Sequence, residues 1–435
     1  MSKFLKIALA LALIVFIVAP GVTGFLVESA IEKEESAYTQ MIEQGPFKLA
    51  DSSFERGWFS SDQTVELDLT DPAVAAGLHL IGGADHDGLP KLVIETKATH
   101  GVIPLASPAK GGLRPAIAQT ESALSLKYGN GEMIELPVTV YSSLGAGQWA
   151  RIVADPIDNF KLEDEATVSW DGADISATIG DKSTFSGSLG SVQLASAEGT
   201  MNTSEMTIEG THDIRRFKLG EGETNIKLDN MRFSAAQAGS FELNDLAVKS
   251  SMAVDDGRAI AQSDFLIGDI QTSVMNIDGI DMSAIYNVNA AALEKFIELT
   301  QELQSSALAD ESELEDPAAM MAAMQDLLAE GVGFTLERFN VEMGGDTLKM
   351  DLDMQLPPGT TSLPAVMANG QASGNMVIPE GVVSAISELS PDVANGFMMA
   401  SMMGFVEEKD GAFEARMSYK DGVLLLNDLP VPLPF

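Results

Sequence analysis

Met398, Met399, Met402 and Met403 place thioethers on adjacent faces of a predicted helix, and Met320, Met321 and Met324 repeat the pattern. Thioethers are neutral, soft donors that select cuprous copper over hard cations. Methionine is also a flexible apolar filler with good helix propensity, so the stronger reading is plain core or an adaptable apolar binding surface. The histidines are His79, His86, His100 and His212, and none shows His-x3-His or His-Glu-x-x-His spacing. Asp85-His86-Asp87-Gly88 has the residues a turn needs, which explains it more simply than a metal does. His100, near a predicted strand end, reads as a hydrogen-bonded turn residue before it reads as a general base.

Nucleophile and phosphate motifs are missing. There is no Gly-x-Ser-x-Gly elbow, no Walker A lysine loop and no Gly-x-Gly-x-x-Gly. Cysteine is absent, which removes thiolate catalysis, disulfides, thiolate zinc sites and iron–sulfur clusters together. Carboxylates abound, and two of them at the right separation could hydrolyse a glycoside, but a solvated surface accounts for most. The acidic run at 310–316 reads as a solvated loop. No cofactor is expected.

One cation stands out. Arg56 adjoins Trp58 and Phe59 across Gly57, which can take a left-handed bend. The arginine could stack or pair while the aromatics enter the core, so the segment reads as a corner lock where the chain enters a sheet. A ligand or partner surface is the second reading for these residues.

The chain of 435 residues carries 26 Lys+Arg against 64 Asp+Glu, a net charge of −38. So acidic a surface repels phosphate, which excludes general nucleic-acid binding and a basic face on anionic lipid. A hydrophobic content of 45% still permits a real core. Lys3 and Lys6 precede an apolar run over residues 7–27, which at 1.5 Å per residue reaches about 30 Å, the thickness of a hydrocarbon core. The expectation is an inner-membrane anchor with the lysines cytoplasmic and the body in the periplasm. A cleaved signal peptide with Val22 and Gly24 near the cut is the alternative.

The elements that must position these residues are mainly strands. Val65, Leu67 and Leu69 alternate with Glu66 and Asp68, and Ile134, Leu136, Val138 and Val140 show the same period of two, where Pro137 suggests an edge or bulge. Turn signals include Gly129-Asn130-Gly131, Asp171-Gly172 and Asp255-Asp256-Gly257. Asn289 caps a predicted helix striped by Leu293, Phe296, Ile297, Thr300 and Leu303, and Asp316-Pro317 opens a second that stops at Gly331. Leu348, Met350, Leu352, Met354 and Leu356 then alternate in the cleanest strand. A helical stretch from Pro379 to Met403, broken by Pro391, precedes a hairpin turning at Asp421-Gly422.

The predicted fold is α+β, mostly β. It has an N-terminal transmembrane helix, an elongated antiparallel β body with an AsmA-like groove or curved sheet, a helical hairpin insert and C-terminal helices. The predicted regions are an anchor at 1–30, a β-rich periplasmic region at 31–288, a helical insert at 289–332 and a β/α region at 333–435.

Phe54-Glu55-Arg56-Gly57-Trp58-Phe59-Ser60-Ser61 resembles the signature of the YdgA-like bacterial envelope proteins. His100-Gly101 with Pro104 is similar to that family's His-Gly-Pro motif, with Val102 where proline is usual. Tyr419-Lys420-Asp421-Gly422, Leu424 and Asn427 resemble its closing strand–turn–strand, with Asp428 where glycine is usual. The resemblance implies an inner-membrane-anchored periplasmic protein and no established reaction. It is similar, more distantly, to AsmA-like proteins, which handle lipid between membranes. The function expected is therefore non-enzymatic binding of an apolar ligand such as lipid, or of an envelope partner, with Arg56, Trp58, Phe59, His100, Met398, Met399, Met402 and Met403 as candidate surface. A periplasmic hydrolase using a carboxylate pair is the rival.

Overall fold

The computed structural model describes residues 47–57, 60–69, 90–100, 118–144, 148–161, 166–178, 180–197, 199–215, 217, 220–235, 239–297, 299, 317–389 and 391–431. These residues form 26 strands, in two compact units.

The first unit holds β1 (Phe47–Arg56), β2 (Ser60–Leu69), β3 (Lys91–His100), β4 (Ala118–Lys127), β5 (Met133–Leu144) and β6 (Trp149–Ala154), each antiparallel to the last. A hairpin of β7 (Ile157–Lys161) and β8 (Thr167–Trp170) follows, then β9 (Ala173–Thr178) on β6, and β10 (Lys182–Leu189) on β9. The period of two in the sequence puts Leu67, Leu92 and Leu126 in cross-strand register, and with Tyr128 they form the core of this unit. Pro137 falls inside a register irregularity between β4 and β5, so its missing N–H breaks no ladder bond.

The second unit is a longer antiparallel ladder. It comprises β11 (Val192–Ala195), β12 (Gly199–Thr203), β13 (Met206–Asp213), β14 (Glu221–Ala235), β15 (Gly239–Asp255), β16 (Arg258–Ile267), β17 (Asp269–Thr272), β18 (Asn276–Ile277) and β19 (Gly279–Asn289). It continues through β20 (Val332–Met343), β21 (Asp346–Leu356), β22 (Gln371–Pro379), β23 (Glu407–Lys409), β24 (Ala412–Lys420), β25 (Val423–Leu426) and β26 (Leu429–Val431). The helices are α1 (Pro317–Ala329), α2 (Leu363–Asn369), α3 (Glu380–Leu389) and α4 (Pro391–Met402), and residues 290–297 are also helical.

Turn chemistry sets the register of this ladder. Both central residues have positive φ at Asp256-Gly257 (47° and 74°), Gly344-Gly345 (61° and 84°), Asp410-Gly411 (54° and 77°), Asp421-Gly422 (53° and 78°) and Asn427-Asp428 (48° and 65°). Two left-handed residues match the twist of paired strands, which is why Asn, Asp and Gly occupy these positions. Longer connections carry α2 and α3–α4, and another links β19 to β20. There the chain leaves at residue 290 and returns at Val332, although Val288 and Val332 are cross-strand partners. Asn289 Oδ1 accepts from the Ala292 N–H at 3.0 Å and starts the outgoing helix. Lys295 on it pairs with Asp326 on α1. Arg258 then staples both ends, donating to the carbonyls of Asn287 (2.8 Å), Glu330 (3.1 Å) and Gly331 (3.2 Å).

The α+β expectation is corrected. Every strand pairing described is antiparallel, and the helices are short attachments to sheet rather than a separate layer, so the class is β. Among the described residues no helix is long and apolar enough to cross a membrane. The apolar run at 7–27 and the acidic run at 310–316 lie outside the described residues.

Asp428 holds φ at 65° in a turn position where glycine carries no Cβ penalty. Asp428→Gly should stabilise the protein by about 0.5–1 kcal/mol, because the ion pair it removes, to Arg416 at 3.6 Å, joins two exposed side chains and is worth little. Urea midpoints of the two proteins check this.

Candidate functional site

The alternating strands of the second unit generate one apolar face. One cross-strand row runs Met252, Ala261, Tyr286, Phe334, Met354, Ala372, Tyr419, Leu424. The next same-face row runs Ala284, Leu336, Leu352, Gly374, Met417, Leu426. Beyond it lie Val248, Phe265, Met282, Phe339, Met350 and Met376. The opposite face carries Asp281, Asn340, Lys349, Asp351, Asp353, Asn375 and Arg416, the polar half of the same alternation.

Both ends of the apolar face are roofed. At one end Phe217, Ala290 and Leu293 cover Met252, Val254, Ala259 and Val288. At the other, Val382, Val383 and Ala385 of α3 and Phe397 of α4 pack on Met343, Leu348, Met376 and Ile378. The middle differs. Tyr286 and Phe334 pack with ring centroids 5.0 Å apart and planes tilted by 50°, yet Tyr286 remains 48% exposed and Met354 46%. Gly374 is buried in the second row, where a Cβ would meet the Asp351 carbonyl at 2.6 Å and the Leu352 side chain at 3.2 Å, so the close approach of the strands requires glycine there. A run of large apolar side chains half open to water, between two covered ends, is what an apolar ligand requires.

The residues singled out from sequence are placed as follows. Arg56 ends β1, exposed and opposite Ser61, and Gly57 closes the turn by donating to the Ser60 carbonyl at 2.8 Å. Trp58 and Phe59 lie outside the described residues. His100 ends β3 opposite Ala118, and its side chain is likewise outside them. Since Ser61 faces Ala98, Arg56 and His100 share one end of the β1–β3 sheet. The methionines belong to the second unit: Met398, Met399, Met402 and Met403 are exposed by 63%, 60%, 84% and 48%, so the plain-core reading fails for them. Tyr286, Phe334 and Gly374 were missed by sequence reasoning, although the alternation of Ile280, Met282, Ala284, Tyr286 and Val288 carries the signal.

Among the described residues, the carboxyls with a displaced pKa are held in ion pairs. Arg151 grips Asp174 through Nε at 2.8 Å and Nη2 at 2.5 Å and holds that carboxyl below its ordinary range. Arg232 does the same to Glu242, helped by Asn230 and Asn244. A general acid needs the opposite displacement. Among the described residues no group of three His, Asp or Glu side chains could hold a metal. A small polar hollow in the first unit is lined by Lys97, Thr99, Gln119, Tyr141, Ser142 and Trp149. The Trp149 side chain is buried, and its Nε1–H has no hydrogen-bond partner among the described residues.

A family model described as "Bacterial protein of unknown function (DUF945)" matches residues 1–434. The chain belongs to this family. Membership agrees with the bacterial origin implied by the resemblance noted above, and it assigns no activity. No curated protein and no solved structure matches the chain, so the AsmA-like likeness gains nothing from the comparisons.

Two outcomes follow from the polar groups of this DUF945 member. Trp149→Phe should leave stability within about 1 kcal/mol or raise it, because it removes a buried unpaired donor, whereas Trp149→Ala should cost about 3–5 kcal/mol through the cavity. Denaturant titration separates the two. Asp174, with its folded-state pKa depressed, contributes stability above the unfolded carboxylate range and loses it as pH falls through the folded value. The stability gap between wild type and Asp174→Asn should therefore be widest near neutrality and close in acid.

Proposed function

We propose that this DUF945 member is a YdgA-like envelope protein. Residues 7–27 attach it to the bacterial inner membrane, its body stands in the periplasm, and it binds the acyl chain of a lipid without transforming it. The observation that carries the binding is the half-exposed pair Tyr286 and Met354, on either side of the partly buried Phe334, in the middle of an otherwise covered apolar face. Shielding about 200 Å² of that row would contribute about 5 kcal/mol before ordering costs, which corresponds to affinity no tighter than about 0.2 mM from this row alone. A linear chain suits a row of side chains spaced about 4.8 Å apart across successive strands. The absence of nucleophile motifs supports binding over hydrolysis.

The measurement is displacement of a fluorescent fatty acid from the detergent-solubilised full chain. Phe334→Glu and Met354→Glu should weaken binding at least tenfold, and Lys349→Ala on the polar face should leave it unchanged. Equal binding by all of these proteins refutes the site. Mass spectrometry of what co-purifies distinguishes phospholipid from a stoichiometric protein, and the latter would replace the lipid reading with a partner. A carboxyl-terminal reporter active only in the cytosol would remove the periplasmic address.

A further inference from the structure

Helix α4 turns one side inward and leaves the other bare. Phe397 enters the cluster around Val382 and Ile378 and meets Phe413 with ring centroids 5.9 Å apart. The outward side, within six residues, is Met398, Met399, Met402 and Met403. The helix extends through them, since the Met403 N–H donates to the Met399 carbonyl at 3.0 Å. It ends only at Gly404, where φ is 77° and the Phe405 N–H donates back to the Ala400 carbonyl at 2.9 Å. At 3.6 residues per turn these four side chains fall within an arc of about 140°, with 398/402 and 399/403 stacked one turn apart.

We infer that this segment is a soft-cation site, with Met399, Met402 and Met403 as thioether ligands to a single cuprous or silver ion and Met398 as a reserve donor. The alternative, a surface for a bulky apolar partner, is less well served. Among the described side chains of α4, none on the exposed side is branched aliphatic or aromatic, and Met402 is 84% exposed. The surroundings favour a cation: the last turn of α4 has no basic residue, and Glu407 and Glu408 of β23 are exposed just beyond it. Neutral sulfur donors hold soft monovalent ions and discriminate against calcium, magnesium and zinc, which require oxygen, nitrogen or thiolate. The site binds the ion as delivered, with no change of oxidation state. It is independent of the acyl-chain row, whose residues lie on other elements.

The experiment is anaerobic titration of the full chain with the cuprous acetonitrile complex against bicinchoninate, and in parallel with silver nitrate. One ion per chain is expected, with an X-ray absorption spectrum showing sulfur as the inner-shell donor. Met402→Leu should weaken binding at least tenfold, and the combined Met399→Leu, Met402→Leu, Met403→Leu variant should abolish it. Leucine conserves volume and helix propensity on an exposed surface, so the fold survives, which circular dichroism verifies. Met321→Leu with Met324→Leu on α1 is the control and should bind as wild type. No binding by wild type, an oxygen or nitrogen inner shell, or undiminished binding by the triple variant would each overturn the assignment.

Discussion

Everything in the larger unit depends on the left-handed pairs of residues at its strand reversals. A side chain in a sheet points to the face opposite its neighbour, so a slip of one residue would carry every apolar group of a strand into water and every carboxylate into the core. The Asp-Gly, Gly-Gly and Asn-Asp pairs prevent this at the five hairpins they close, by permitting only the short connection. Register in turn creates the rows: Tyr286 meets Phe334 and Met354 because the turn at Gly344-Gly345 fixes where β21 begins. A single backbone constraint thus sorts the strands of this unit into one wet face and one greasy one.

Coverage is a separate matter from sorting. The helices cover the ends of the greasy face, and their contacts are ordinary core contacts, with Val382 fully buried against Ile378 and Met343. Between the ends the sheet relies on its own side chains. Leu336 and Ala284 are buried by their neighbours, while Tyr286 and Met354 keep about half their surface in water. Leaving large apolar groups so exposed lowers stability relative to a closed core, a cost a protein bears most readily where a ligand will cover them.

Much of the fold was legible in the sequence because strands announce themselves locally. The alternation from Leu348 to Leu356 and the turns at Asp256-Gly257 and Asp421-Gly422 need nothing beyond neighbouring residues, as does the Asn289 cap. The class was misjudged for a related reason: amphipathic helix patterns at 289–332 and 379–403 look substantial in one dimension, yet the helices described within them are short covers on sheet. Exposure could not be read at all. The spacing of Met398, Met399, Met402 and Met403 is equally compatible with core and surface, and only Phe397 pointing inward decides which side faces water. Nor could the sequence show that Arg258 would bond carbonyls more than seventy residues away.

That arginine has a consequence for how the family can vary. Since β19 and β20 pair directly and Arg258 ties the carbonyls of Asn287, Glu330 and Gly331 together, the excursion over residues 290–331 departs from and returns to one fixed doorway. Ring-closure entropy grows only slowly with length, so the stretch between could be trimmed, enlarged or opened to new termini while the surrounding scaffold stays in place. It is a natural port for grafting, where evolution or an engineer could exchange cargo without rebuilding the wall.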